Sequence, residues 1–189
     1  MKALHKLDHS FYQRDVLEVA PDLIGKYLVR KHSNGRLFRN RITEVEAYRG
    51  EEDQACHASK GRTSRTEIMY HKGGVIYVYL IYGMYWMLNF VTGMENIPQA
   101  ILIRSLENIP GPGRITRELE IDGSFYGISL ISSGKIWLEG HHEKYGFITK
   151  TRIGVDYAGE VWKNKQWRFV MDPPPFGSPL SRERGGTGG

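Results

Sequence analysis

Two carboxylates, two kinds of ring and one amide stand at spacings that could serve a single reaction. In RITEVEAY, residues 41–48, Glu44 and Glu46 alternate with Thr43 and Val45, so in a strand they share a face with Ile42 and Tyr48, opposite Arg41, Thr43, Val45 and Ala47. A carboxylate there can take a proton from water or steady a developing positive charge, and two could act as an acid/base pair across a sugar bond. His57 follows in a Gly-rich, charged loop. Then comes VIYVYLIYGMYWMLN, residues 75–89, which reads as buried strand yet carries four tyrosines, among them Tyr79 and Tyr82, and ends in Asn89. A core built for stability alone would use Val, Ile, Leu and Phe, because each buried phenol needs a hydrogen-bond partner. Stacked phenols with one carboxylate and one imidazole suit a planar heteroaromatic ligand. Each piece also has a plainer reading: surface decoration for the histidine, core or interface for the hairpin, salt bridges for the glutamates.

The elements that must hold these groups follow from local pattern. Asp15 and Glu18 have capping-box spacing, and Val16, Val19, Ala20, Leu23 and Ile24 follow at helical period up to Gly25. Pro21 falls inside that run and predicts a kink or two short turns. Asn34-Gly35 between two strand-like runs predicts a hairpin. Residues 49–65 predict a long loop, the kind that tends to be functional in a compact domain. Ser64 and Glu67 offer a second capping box, for a short helix through Tyr70. The aromatic stretch predicts two strands broken at Tyr82-Gly83, and QAILIRSL, residues 99–106, a buried strand whose one charge is Arg104. A helix is expected over 114–121, and strands over 134–140, 147–155 and WKNKQWRFVM, residues 162–171. These elements add up to one mixed α+β domain over residues 1–176, with a curved, mostly antiparallel sheet and short flanking helices. The Gly-rich end, 177–189, is expected to be a flexible tail.

The chain of 189 residues has 26 Lys and Arg against 21 Asp and Glu, a net charge of +5 that suits a polyanionic partner. Arginines and lysines gather at Arg30-Lys31, Arg36, Arg39, Arg41, Arg49, Lys60, Arg62 and Arg65, either a solvated face or a phosphate track. The single Cys56 excludes an internal disulfide and a zinc finger. No run approaches a membrane span, and MKALHKLDHS lacks an apolar signal core, so a cytoplasmic protein is expected, associated with the nucleoid if prokaryotic. Neither Cys56-His57 nor His141-His142 makes a chelate without further ligands, so no metal and no cofactor are expected.

Taken in order, TEVEAYRGEEDQACHASKGRTSRTEIMY, GGVIYVYLIYGMYWMLN, AILIRSLE, GPGRITREL and RIGVDYAGE resemble the alkyladenine (3-methyladenine) DNA glycosylase family, over about Phe11 to Phe169. The resemblance implies that Glu46 deprotonates the attacking water and that Arg104 helps hold it. It implies that Tyr48, His57 and Tyr79 line a base pocket, that Asn89 collides with the 2-amino group of normal guanine, and that Tyr82 wedges into the duplex. It further implies double-stranded DNA with damaged purines as the partner, and a monofunctional enzyme that leaves an abasic site. A monomer with no obligate protein partner is expected, and Glu44 is expected in a structural salt bridge.

Chemistry at a glycosidic bond requires the base to leave the stack. An inserted side chain offsets part of the cost of extrusion, and stacking on aromatics supplies roughly 1 to 3 kcal/mol per base. Alkylation makes a purine cationic, and cations sit well over tyrosine faces. The rival readings are another N-glycosyl or glycoside hydrolase and a catalytically silent nucleic-acid-binding module.

Overall fold

Strand β1 (His5–Lys6) leads into helices α1 (His9–Tyr12) and α2 (Val16–Leu23), then the hairpin of β2 (Tyr27–Lys31) and β3 (Leu37–Arg49). Two 3-10 turns, His57–Lys60 and Glu67–Tyr70, punctuate the following loop before β4 (Ile76–Ile81), β5 (Tyr85–Val91), β6 (Gln99–Leu106) and β7 (Ile109–Pro110). Helix α3 (Pro112–Glu118), β8 (Ile136–Gly140), β9 (Phe147–Lys150), α4 (Gly159–Lys163) and β10 (Arg168–Met171) complete the order. This computed structural model describes residues 4–140 and 144–173. The end of the expected domain, 174–176, the tail 177–189 and the His141-His142 pair lie outside the described residues.

All named strand pairings are antiparallel, in the order β1-β8-β2-β3-β6-β5-β4, with β10 between β3 and β9 and β7 on β6. The expected α+β class therefore holds. Thirteen-residue β3 is the axis: its first half pairs with β2, its second half with β10, and its other edge with β6. One face of the central strands packs Val45, Ala47, Val78, Phe90 and Ile101 against Val16, Val19 and Leu23 of α2 and Ile115 of α3 in the main core. The opposite face is left for polar and aromatic groups.

Two predicted hairpins form. In the first, Gly35 takes the left-handed conformation (φ 84°), and the Arg36 amide donates to the Asn34 side chain. The second turns at Tyr82 and Gly83, both with positive φ (51° and 67°), closed by the Met84 amide on the Ile81 carbonyl at 3.1 Å. That is the pattern of a type I′ turn.

Other expectations need correction. Helix α2 runs through Pro21 as one element. The interior proline removes one bond of a two-turn helix, while four fully buried side chains and the Asp15 cap on the Leu17 amide hold the rest. Ile42 does not share the face of Glu44 and Glu46. The β3/β6 register shifts between Ile42 and Val45, and this bulge brings Ile42 into the core beside Val45 and Ala47. The Ser64/Glu67 capping box does not form: Glu67 is taken by Arg62 at 2.7 Å, and Thr63 and Thr66 cap each other. Helix α3 begins and ends earlier than expected, with Pro112 in its first turn and Glu120 already left-handed beyond it. Residues 151–155 lie outside β9, and Trp162-Lys163 belong to α4. No described helix is long and apolar enough to cross a membrane.

The basic cluster is largely structural. Arg30 is buried over Phe125, Arg39 pairs with Glu139, Arg41 bonds Tyr27, Arg49 pairs with Asp15 and Arg62 with Glu67. Lys31, Arg36, Lys60 and Arg65 of the cluster, with Arg114 of α3, are exposed and have no carboxylate partner among the described residues.

Candidate active site

Antiparallel pairing sets one row of residues across five strands. Tyr77 lies opposite Asn89, Asn89 opposite Leu102, Leu102 opposite Glu46, and Glu46 opposite Arg168. Directly paired residues point to the same face, so the period-2 neighbours Tyr79, Tyr48 and Arg104 join that row on the side away from the core. Two segments close over it: the loop after β3, carrying His57, and the connection between β9 and β10, carrying Ile153 and Tyr157. The Tyr157 hydroxyl donates to the Ala55 carbonyl at 3.1 Å and ties the two segments together. They enclose a cavity of about 570 Å³ lined by Tyr48, His57, Tyr77, Tyr79, Asn89 and Arg104, among others. That volume suits a small planar ligand.

Glu46 sits one layer behind the wall, with none of its surface exposed. Its Oε2 accepts from the Tyr48 hydroxyl at 2.9 Å and Arg104 Nη1 at 3.3 Å, and its Oε1 accepts from the Ile153 amide at 2.8 Å. All three donors belong to residues that line the cavity. Glu44 is committed elsewhere: Oε1 to Arg168 at 2.9 Å, Oε2 to Ser105 at 2.9 Å. The salt bridge expected for Glu44 is present.

The rings are held as neutral groups. Burial, then the neighbouring Glu46 charge, pushes the Tyr48 phenol well above its ordinary value. Burial also raises Tyr79, and raises Tyr77 to about 12. His57 is lowered to about 4 by burial, then by Arg65 and Lys60, so its imidazole is uncharged at neutral pH. Its Nδ1 is 2.7 Å from the Tyr77 hydroxyl, and its ring meets Tyr79 edge-on, centroids 4.5 Å apart. Asn89 is buried and donates its amide to the Tyr77 and Met87 carbonyls, both at 3.2 Å, leaving Oδ1 as its free polar atom. Tyr82, 86% exposed, stands at the hairpin tip on the cavity's edge.

Every residue singled out in the sequence, Glu46, Arg104, Tyr48, His57, Tyr79, Asn89 and Tyr82, thus lies at or just behind this one cavity. Sequence reasoning passed over Tyr77, although it lies two residues before Tyr79 and so on the same face. It also missed Ile153, whose contribution is a backbone amide without side-chain signal, and Arg152. Arg152 is fully buried, bonds both oxygens of Asp53, and packs 4.9 Å from the Tyr48 ring centre. Among the described residues no three His, Cys, Asp or Glu side chains gather as a metal's ligands do.

Comparison with known proteins adds to this geometry. The methylpurine-DNA glycosylase family model matches residues 10–110 and 109–175. A protein of Natranaerobius thermophilus named "Putative 3-methyladenine DNA glycosylase" is 40% identical over 195 residues, covering 90% of this chain and 98% of its own. Proteins of the same name from Legionella pneumophila (strain Corby) and Methanocella arvoryzae are 43% and 42% identical, covering 92% and 89% of this chain and 98% and 94% of theirs.

Proposed function

The chain belongs to the methylpurine-DNA glycosylase family, and from that premise we propose that it hydrolyses the N-glycosidic bond of alkylated purines extruded from duplex DNA, leaving an abasic site. The observation that carries the reading is the buried Glu46 carboxylate, held by three donors at the wall of an aromatic cavity. The Arg104 bond, at 3.3 Å, is the longest of the three. A water that inserts there bonds both Arg104 and Oε2, which orients it and gives Glu46 its proton to take. As the bond from C1′ to the base nitrogen breaks, the electron pair leaves with the purine, and the negative carboxylate offsets the positive charge growing on the sugar. The water oxygen then bonds C1′ and its proton rests on Glu46.

Around the flipped base, Tyr48, Tyr79 and neutral His57 supply flat surfaces, and Asn89 Oδ1 supplies an acceptor that a purine must satisfy or avoid. Glu44 is no second acid, since both its oxygens are occupied. Incubation of the protein with methylated duplex, with mass spectrometry of the supernatant, tests the proposal. Release of free methylpurine without strand cleavage is the expected result. Duplex that is bound with no base released would leave only a binding module.

Tyr82 acts as the wedge in this reading. Its exposed ring projects from a turn whose backbone is already left-handed, and alanine at that position meets the same backbone strain, so Tyr82→Ala isolates the loss of the ring. The lost stacking is on the order of 1 to 3 kcal/mol, or about 5- to 150-fold in single-turnover base release from matched duplex. Opposite a mismatch less unpairing must be offset, and the deficit should shrink. Equal deficits in the two duplexes would assign Tyr82 to ordinary packing.

Lys60, Arg65 and Arg114, exposed without carboxylate partners, are candidate phosphate contacts. Duplex affinity should fall steeply with salt, each neutralised phosphate adding about 0.9 to the log-log slope. A slope near zero would exclude the electrostatic contacts this function needs.

A further inference from the structure

Four guanidiniums surround the site, and three of them have carboxylate partners. Arg104 lies 3.3 Å from Glu46 and 3.5 Å from Glu44, Arg168 bonds Glu44, and Arg152 bonds Asp53. Arg65 has no carboxylate partner among the described residues, although it interacts with the Tyr77 hydroxyl. Its guanidinium carbon stands 5.1 Å from the Tyr79 ring centre, and its side chain lines the same cavity as Tyr79, Tyr77 and His57. Three carboxylates against four guanidiniums leave one positive charge in surplus, and Arg65 carries it; Lys60, the other cation that lowers His57, does not line the cavity. The neighbouring groups register that charge: after burial, Arg65 is the largest influence lowering His57.

The two tyrosines that offer their faces to a base are therefore already engaged by cations. Arg152 stacks behind Tyr48, and Arg65 covers Tyr79. A ring quadrupole that attracts one cation has less to give a second, and like charges across a partly buried pocket repel. Purine lesions divide on this point. Alkylation at N3 or N7 leaves the nucleobase in DNA with a positive charge, whereas deamination of adenine to hypoxanthine leaves it neutral. An aromatic pocket alone favours the first class; a pocket with a surplus guanidinium on its wall opposes it.

We infer that Arg65 sets the charge preference of the pocket, moderating its affinity for cationic purines and favouring uncharged ones. The inference rests on the glycosylase reading and refines it. Arg65 is a specificity-determining residue in this account, since its effect depends on the charge of the base and not on the reaction step.

The test compares two duplexes identical except for the target, 7-methylguanine in one and hypoxanthine in the other. Single-turnover base release at subsaturating enzyme is measured for the wild type, Arg65→Gln and Arg65→Lys. Arg65→Gln should raise the ratio of 7-methylguanine to hypoxanthine release about tenfold, the scale of one unit-charge repulsion at the effective dielectric of a partly buried site after screening. Arg65→Lys keeps the charge and should keep the ratio near that of the wild type. Taking the ratio cancels any phosphate contact that both duplexes share. Equal losses on both lesions would make Arg65 a phosphate contact only, and an unchanged ratio would make it a bystander; either result overturns the inference while the glycosylase stands. A wild type that releases neither base would overturn the glycosylase reading, and the inference with it.

Discussion

Glu46→Gln is expected to slow single-turnover base release by about 10² to 10⁴, the usual worth of a general base, while duplex affinity stays near that of the wild type. The substitution is close to isosteric but reverses the polarity of one end of the group. With its oxygen towards the Ile153 amide, the glutamine presents an NH₂ to Tyr48 and Arg104, both of which donate to Glu46 in the native site. The Tyr48 hydroxyl can rotate to accept; Arg104 cannot, and retains Glu44 at 3.5 Å as its remaining partner. On the proposed mechanism the variant therefore loses the proton acceptor, the negative charge under the sugar and one anchor of the attacking water. Glu44→Gln should be milder, because Glu44 bonds Arg168 and Ser105 and is no partner of the cavity's tyrosines. Thermal melts run in parallel separate chemistry from folding. If Glu44→Gln proved the more damaging in base release at equal folded fraction, the roles of the two carboxylates would have to be exchanged.

Asp53→Asn should be the most destabilising change near the site, by about 3 to 5 kcal/mol, the cost of stranding one partner of a buried ion pair. Both side chains are fully buried, and the contact is bidentate at 2.5 and 2.8 Å. Asp53 also accepts from the Arg49 and Ala55 amides, so it shapes the start of the loop that carries His57. Arg152 in turn bonds the carbonyls of Ala47 and Trp162 and backs the Tyr48 ring. Asparagine keeps one acceptor and leaves a guanidinium facing an NH₂ with no water to solvate it. At about 2 to 4 °C per kcal/mol for a chain of this size, the melting temperature should fall by roughly 6 to 20 °C. Urea titration gives the free energy directly, and a loss below about 1 kcal/mol would mean that the surroundings rearrange to replace the pair.

What could be read in advance, and what could not, follows from the range of each signal. The two hairpins were legible because Asn34-Gly35 and Tyr82-Gly83 are local turn chemistry between alternating runs. The Glu46–Tyr48 and Tyr79 faces were legible because period 2 is local too. The bulge at Ile42–Val45 was not: it is decided by how β6 registers against β3, which no single strand encodes. The helix through Pro21 was misread because propensity counts the proline and cannot count the four side chains that α2 buries. The Ser64/Glu67 box fits its pattern, but Arg62, five residues before Glu67, competes for the same carboxylate. Arg152 left no trace in pattern, since its partner Asp53 lies 99 positions away. The basic run from Arg30 to Arg65 could not be sorted in advance into free and paired members, because the partners of Arg30, Arg39, Arg49 and Arg62 are set by the fold.

The row that joins Tyr77, Asn89, Leu102, Glu46 and Arg168 also has a direction in chain order. Its members come from five strands, and the last to be synthesised, on β10, borders the strand that bears Glu46, which was among the first. Contacts so distant along the chain form late, after loop-closure entropy has been overcome. The Ile153 amide that completes the carboxylate's shell is likewise supplied from near the C-terminal end of the described residues. A nascent chain released only to residue 140 would possess the tyrosine hairpin and Glu46 and still lack a finished site. The surroundings of the Glu46 carboxylate are thus a property of the assembled sheet and of no segment of it.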